Sequence, residues 1–204
     1  MRNSSHGKTD KREKTAKGKN LYKLKVTLRG IRPPIWRKFL VRSDVTLGKL
    51  HDILQTVMGW TDSHLHQFIA NNIIYGTPDP DSDMVEMINE KRVLLSRVLQ
   101  KPKDRMIYEY DFGDGWEHEI VLEEVSSAPP RGKYPIVLAG RRACPPEDVG
   151  GPWGYAEFLE AIKNPKHPEH EEYLEWSGGS FDPERFDPNE INLLYHGGWT
   201  SEKE

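Results

Sequence analysis

The sequence predicts an α+β protein: a mostly antiparallel sheet, β-grasp-like, with one main packed helix and a C-terminal group of short helices. Three observations carry this. Residues 21–29 alternate, with Tyr22, Leu24, Val26 and Leu28 on one face and Lys23, Lys25, Thr27 and Arg29 on the other, the period of a half-buried strand. Leu47, Leu50, Ile53, Leu54, Val57 and Met58 fall on one helical stripe. Residues 108–122 are aromatic and β-branched on either side of Asp114-Gly115, a dipeptide that tolerates the positive φ angles of a tight hairpin turn.

In chain order, the first strand ends at the punctuation Gly30-Ile-Arg-Pro-Pro34, and residues 35–41 return as a second, antiparallel strand. Thr46 is placed to cap the helix over residues 47–58, which ends near Gly59. Residues 64–75 read as a third strand, closed by Gly76 and an acidic loop at 77–83. Residues 93–99 fit either a short helix or a strand. The hairpin supplies two more strands, and residues 126–134 are a connector rich in Pro and small residues. Tyr155, Phe158, Leu159 and Ile162 then recur at helical spacing. Pro168 opens a second short helix ending at Trp176, and Asp187-Pro188 a third with Ile191, Leu194 and Tyr195 as its apolar face. Such short helices need a surface to dock on. The expected organisation is a basic disordered tail at 1–20, one domain at 21–195 (sheet and helix to 125, a loop-rich helical extension from 126), and a C-terminal tail at 196–204.

Charge divides the 204 residues unevenly. The net −3 combines a +5 tail, with seven Lys or Arg against Asp10 and Glu13, and a remainder of 22 basic against 30 acidic residues. An acidic body repels phosphate backbones, so nucleic acid is expected only through residues 1–20, which otherwise act as a solubilising arm. Cys144 is the single cysteine, which excludes an internal disulfide and a multi-cysteine zinc site and fits a reducing compartment. No apolar run reaches the roughly 18 residues of a membrane span and no signal-peptide core is present, so the expected location is the cytoplasm, without membrane contact.

The hairpin holds the leading candidate chemistry. With the turn at Asp114-Gly115, Asp111 faces His118, and a carboxylate opposite an imidazole fixes its tautomer for general-base or metal-ligand work. The plain alternative is a structural cross-strand pair contributing roughly 0.2–1 kcal/mol. His64 and His66 share a strand face, and with His118 and a carboxylate from Asp111, Asp114, Glu147 or Asp148 they would form a nitrogen–oxygen site for a divalent metal. Cys144 follows Arg141-Arg142, whose charge could activate the thiol; a lone cysteine is more often a small buried hydrophobe. Gly115 and Trp116 complete this motif-rich region. Gly7-Lys-Thr9 lacks the upstream glycine of a phosphate loop, Asp111-Phe-Gly113 has no catalytic-loop companion, and neither His-Glu-x-x-His nor Gly-x-Ser-x-Gly occurs.

Several motifs together resemble one family. Tyr22-Lys-Leu-Lys-Val-Thr-Leu-Arg-Gly-Ile-Arg-Pro-Pro-Ile-Trp36, Leu47-Gly-Lys-Leu-His51, Met58-Gly-Trp60, His64-Leu-His-Gln-Phe68, Tyr110-Asp-Phe-Gly-Asp-Gly-Trp-Glu-His118 and Cys144-Pro-Pro-Glu-Asp-Val-Gly-Gly151 are similar to the plasmid pRiA4b open-reading-frame-three-like family, over about residues 21–195. Val41-Arg42 replaces a Val-Pro of that pattern. The resemblance implies an α+β domain of unestablished function, carried on plasmids and in many bacterial and archaeal genomes. Some relatives travel in insertion sequences under a resolvase-like label. A serine resolvase needs a nucleophilic serine beside an arginine cluster, whereas Ser4-Ser5 lie in the basic tail. Three readings follow: an accessory or interaction module with a protein partner, a metal-dependent or hydrolase-like enzyme centred on the Asp111/His118 hairpin, and a nucleic-acid-associated protein using its tail.

Overall fold

The alternating strands assemble into one eight-stranded sheet in a computed structural model that describes residues 20–78, 87–129 and 131–196. The strands are β1 Asn20–Leu28, β2 Trp36–Arg42, β3 His66–Ala70, β4 Ile73–Gly76, β5 Met87–Asn89, β6 Arg105–Tyr110, β7 Trp116–Ser127 and β8 Ile136–Arg141. Their order across the sheet is β5-β4-β3-β6-β7-β1-β2-β8. Every pairing is antiparallel except β4 with β5. The protein is therefore α+β with a mostly antiparallel sheet. No helix among the described residues is long and apolar enough to cross a membrane.

One face of the sheet is the core. Tyr22, Leu24, Val26 and Leu28 of β1 are buried, each contributing roughly 1.5–3 kcal/mol on leaving water. The opposite face carries ion pairs, among them Lys23–Glu124 and Lys38–Glu123. Helix α1, Leu47–Met58, crosses the apolar face with its predicted stripe inward. Thr46 caps it, accepting the Lys49 N–H at 3.2 Å, and Gly59 ends it in the left-handed conformation. Two polar side chains, His51 and Gln55, are buried on that same inward face.

Three expectations are corrected. Residues 64–75 form two strands, because Asn71 and Asn72 both adopt positive φ (51° and 62°) and turn the chain between β3 and β4. His64 consequently precedes the strand, and only His66 lies within it. The connector after residue 125 is displaced: β7 runs to Ser127, and the extension from residue 126 also contributes a strand, β8, to the edge of the sheet. Residues 93–99 resolve as α2, Leu95–Val98.

The third correction concerns the hairpin register. His118 lies opposite Tyr108, not Asp111, and Trp116 lies opposite Tyr110. Residues 111–115 form the connection. Asp111 takes φ 56°, and its Oδ1 accepts the N–H groups of Gly113 (3.0 Å) and Asp114 (3.3 Å), while its carbonyl accepts from Gly115 at 2.6 Å. These local bonds outcompete the two-residue turn that Asp114-Gly115 suggested. The odd shift changes which residues share a face. Tyr108, Tyr110, Trp116, His118 and Ile120 all point into the core.

The segment that follows β8 meets the hairpin loop at residues 150–151. Helices α3 (Gly151–Lys163), α4 (His170–Trp176) and α5 (Pro188–His196) follow β8. Gly150 donates its N–H to Asp114 Oδ2 at 3.1 Å. Gly151 has φ 67°, and a methyl group there would overlap the Asp114 carbonyl oxygen. Both backbone strain and this close approach demand glycine. Gly151→Ala should destabilise the fold by roughly 2 kcal/mol or more, read as a lower denaturant midpoint. An unchanged midpoint would contradict this packing.

Candidate metal centre

Three loops meet at the α1 end of the core: residues 60–65, 111–115 and 144–151. A buried hydrogen-bond chain fixes the first. Gln55 Oε1 accepts the Asp62 N–H at 3.0 Å, which leaves its Nε2 to donate to the Tyr108 hydroxyl at 2.9 Å. That hydroxyl then donates to His51 Nδ1 at 2.8 Å, and His51 Nε2–H donates to Asp62 Oδ1 at 2.8 Å. These polarities are those of a neutral imidazole that carries its proton on Nε2. Burial, then neighbouring His66, pushes its pKa down.

Tyr110 ties the first loop to the third. Its hydroxyl donates to Glu147 Oε1 at 2.5 Å and accepts the Ser63 N–H at 3.0 Å. Burial and the Glu147 bond push this phenol well above its ordinary pKa, so it stays protonated. Thr61 donates both its N–H (3.0 Å) and its hydroxyl (2.5 Å) to Glu147 Oε2. Trp60 donates its indole N–H to the Pro145 carbonyl at 2.9 Å. Glu147, a sequence candidate, is thus an anchor with both oxygens engaged.

These constraints present His64 to two carboxylates. Its Nε2 lies 3.1 Å from Asp148 Oδ1 and 3.6 Å from Asp111 Oδ2, yet among the described residues this enclosed atom makes no hydrogen bond. The shorter contact has the length of a hydrogen bond but not its direction. Metal–ligand bonds of about 2.1 Å in tetrahedral array separate neighbouring donors by about 3.4 Å, a value that lies between these two distances. Asp111 is already oriented through Oδ1, leaving Oδ2 toward His64. Asp111 and Asp148 both hold left-handed backbone, at φ 56° and 59°. Asp tolerates this better than most residues, and such geometry persists where surrounding contacts impose it. One nitrogen and two carboxylate oxygens suit zinc, manganese or ferrous iron, and the exposed rim at Asp148 leaves room for further ligands.

A second cluster, His51, Asp62 and His66, has donor atoms as close together but different chemistry. The two imidazoles stack with centroids 3.4 Å apart and planes 4° from parallel. A metal sits near the plane of each imidazole that binds it, so parallel stacked rings cannot both address one ion without rearranging. Both Nε2 atoms are also occupied, His51 by Asp62 and His66 by the buried Glu90 at 2.9 Å. This cluster is a scaffold.

The remaining candidates fall elsewhere. His118 is fully buried, its Nδ1 bonded to the Tyr108 carbonyl at 3.2 Å and its ring edge-on to Trp60. Burial pushes its pKa down to about 4. It is a neutral core residue, and the expected Asp111–His118 partnership does not form. Trp116 is buried beside Trp60. Gly115 and Asp114 shape and dock the hairpin loop. The Cys144 thiol faces the buried Arg37 guanidinium (3.6 Å) rather than Arg141 or Arg142, and burial pushes its pKa up to about 11. The desolvation outweighs the nearby positive charge, so the thiol is not an activated nucleophile. His51, Gln55, Asp62, Tyr108 and Tyr110 were not singled out by sequence. The usable signal for the first pair was its i, i+4 polar spacing within an apolar helical stripe.

The fold and this site define an α+β domain whose sequence motifs converge on one end of a sheet. Residues 20–190 match the family model described as plasmid pRiA4b ORF-3-like protein. The chain belongs to that family. It is 42% identical over 174 residues to the uncharacterized protein y4hQ of Sinorhizobium fredii, covering 85% of this chain and 89% of the relative. It also resembles the crystal structure of MM3350, a protein of unknown function from Methanosarcina mazei Go1. That likeness has a TM-score of 0.76 at 37% identity and covers 85% of this chain and 98% of the other.

Two outcomes check the placements. Unfolded His118 takes up a proton below pH 6.5, whereas the folded residue resists until about pH 4. Its contribution is present above pH 6.5 and is lost as pH falls toward 4, to a total of roughly 3 kcal/mol. His118→Phe should flatten that part of the stability–pH curve; an unchanged slope would place the titration elsewhere. For Cys144, alkylation by iodoacetamide at about pH 8 should run roughly 100-fold slower in the native than in the unfolded protein. Equal rates, followed by mass spectrometry, would show an accessible, reactive thiol.

Proposed function

We propose that this protein binds one divalent first-row metal through His64, Asp111 and Asp148 and uses it for hydrolytic chemistry. The observation that carries the proposal is the His64 imidazole nitrogen, enclosed, without a hydrogen bond, and 3.1 and 3.6 Å from two carboxylate oxygens. Among the described residues no Lys or Arg pairs with either carboxylate, so a cation would relieve their mutual repulsion.

Three protein ligands are the number that leaves coordination positions open for water and substrate. A bound metal would supply Lewis acidity and lower the pKa of bound water. The chain's own contribution is placement. Asp111 is fixed by two backbone N–H groups, His64 by the pinned loop, and Asp148 stands at the solvent side. Cys144 and His118 have no part in this centre.

A second reading, an accessory or interaction module of a mobile-element-associated family, is favoured by large apolar side chains left exposed near this site, above all Trp153. The nucleic-acid reading rests on residues 1–20, of which 1–19 lie outside the described residues.

Calorimetric titration of chelator-treated protein with Mn(II) or Zn(II) should give one site per chain. His64→Ala should weaken it roughly 100-fold or more, while Cys144→Ser leaves it intact. Unchanged affinity in a folded His64→Ala variant would contradict the proposal.

A further inference from the structure

The rim of the centre has a composition of its own. A cleft of about 260 Å³ opens beside Asp148, lined by Val149, Glu169, Glu172, Tyr173 and Trp176. That volume lies below the roughly 300 Å³ at which small-molecule sites begin, and suits the head of one side chain. Its chemistry is carboxylate and aromatic. Among the described residues neither Glu169 nor Glu172 has a Lys or Arg within ion-pair distance. Burial and then Glu157, Glu169 and Glu172 push the Tyr173 phenol pKa up. Carboxylates beside aromatic faces favour an ammonium or guanidinium group.

The segments that carry the metal ligands and the cleft also carry exposed apolar side chains, on four separate stretches. Leu65 (73% exposed) follows His64, and its carbonyl accepts the Asp111 N–H at 2.9 Å. Phe112 (48%) follows Asp111. Trp153 (87%) lies in the first turn of α3, just beyond the Gly150–Asp114 contact, and Trp176 (46%) walls the cleft. Aromatic residues left in water around a polar centre mark an interaction site.

We propose that this face receives an extended polypeptide segment carrying a basic side chain next to apolar ones, with the basic head between Glu169 and Glu172 in the cleft and Asp148 left to the metal. This deepens the metal-centre reading, on which it rests for the position of the reactive atoms. A small polyamine would use the cleft and leave the apolar rim unused. Nucleic acid would bring phosphates against unpaired carboxylates, and an anionic membrane surface would meet the same repulsion. A polypeptide satisfies both halves of the surface.

The test uses the full chain and fluorescence anisotropy. The probe is a labelled peptide alternating Lys with Leu, beside the same peptide with Glu for Lys and a short single-stranded oligonucleotide. The Lys peptide should bind in preference to both. The Glu169→Gln/Glu172→Gln pair and Trp153→Ala should each weaken it roughly tenfold, whereas Glu123→Gln, on the opposite sheet face, should not. Wild-type binding by both cleft and Trp153 variants, or a preference for the oligonucleotide, overturns the proposal. Metal content measured on the same samples separates the two ideas. Peptide binding that persists in metal-free His64→Ala upholds this docking surface whatever becomes of the metal centre. Metal-loaded protein that ignores the peptide refutes docking alone.

Discussion

The Tyr110 hydroxyl is the constraint on which the rest of the candidate site depends. It donates to Glu147 and accepts from Ser63, joining two loops that are distant in sequence. The tyrosine reaches that point because the hairpin register turns Tyr108, Tyr110, Trp116 and His118 inward together. Tyr108, two residues earlier on the strand and on the same face, serves the chain of Gln55, His51 and Asp62. Two hydroxyls on one strand therefore secure the loop that presents His64. A buried polar group without a partner costs roughly 1–3 kcal/mol, so the network makes each member dependent on the others.

Much of the fold was legible from periodicity. Strand β1 and helix α1 announce themselves by alternation and by an apolar stripe, because each buries one face on the same core. The cap at Thr46 and the stop at Gly59 were equally local. The hairpin was legible in kind but not in register. Asp114-Gly115 favours a tight turn intrinsically, whereas Asp111 gains two side-chain bonds that a dipeptide preference does not contain. Strand β8 was hidden by the Pro and Gly content of its approach and finds its partner only through β2, far away in sequence.

The candidate site was legible in part, for a related reason. His64, Asp111 and Asp148 all stood among the sequence candidates, since His and Asp in motif-dense loops point to metal chemistry. Their grouping was not legible, because the hairpin register and the Gly151 contact with the Asp114 carbonyl decide which of them meet. The same misplaced register gave His118 a partner it lacks. Cys144 illustrates a different limit: two neighbouring arginines suggested activation, but burial is the larger effect, and the guanidinium beside it belongs to Arg37.

We propose different work for two adjacent histidine clusters: stacked His51 and His66 hold structure, while His64 and its two carboxylates are the metal ligands. X-ray absorption at the metal edge of Mn- or Zn-loaded protein tests that division most directly. The account predicts a first shell of oxygen donors with one imidazole, at about 2.0–2.2 Å and without sulfur. Two imidazoles, or scattering from sulfur, would place the ion at the stacked pair or at Cys144 and contradict it.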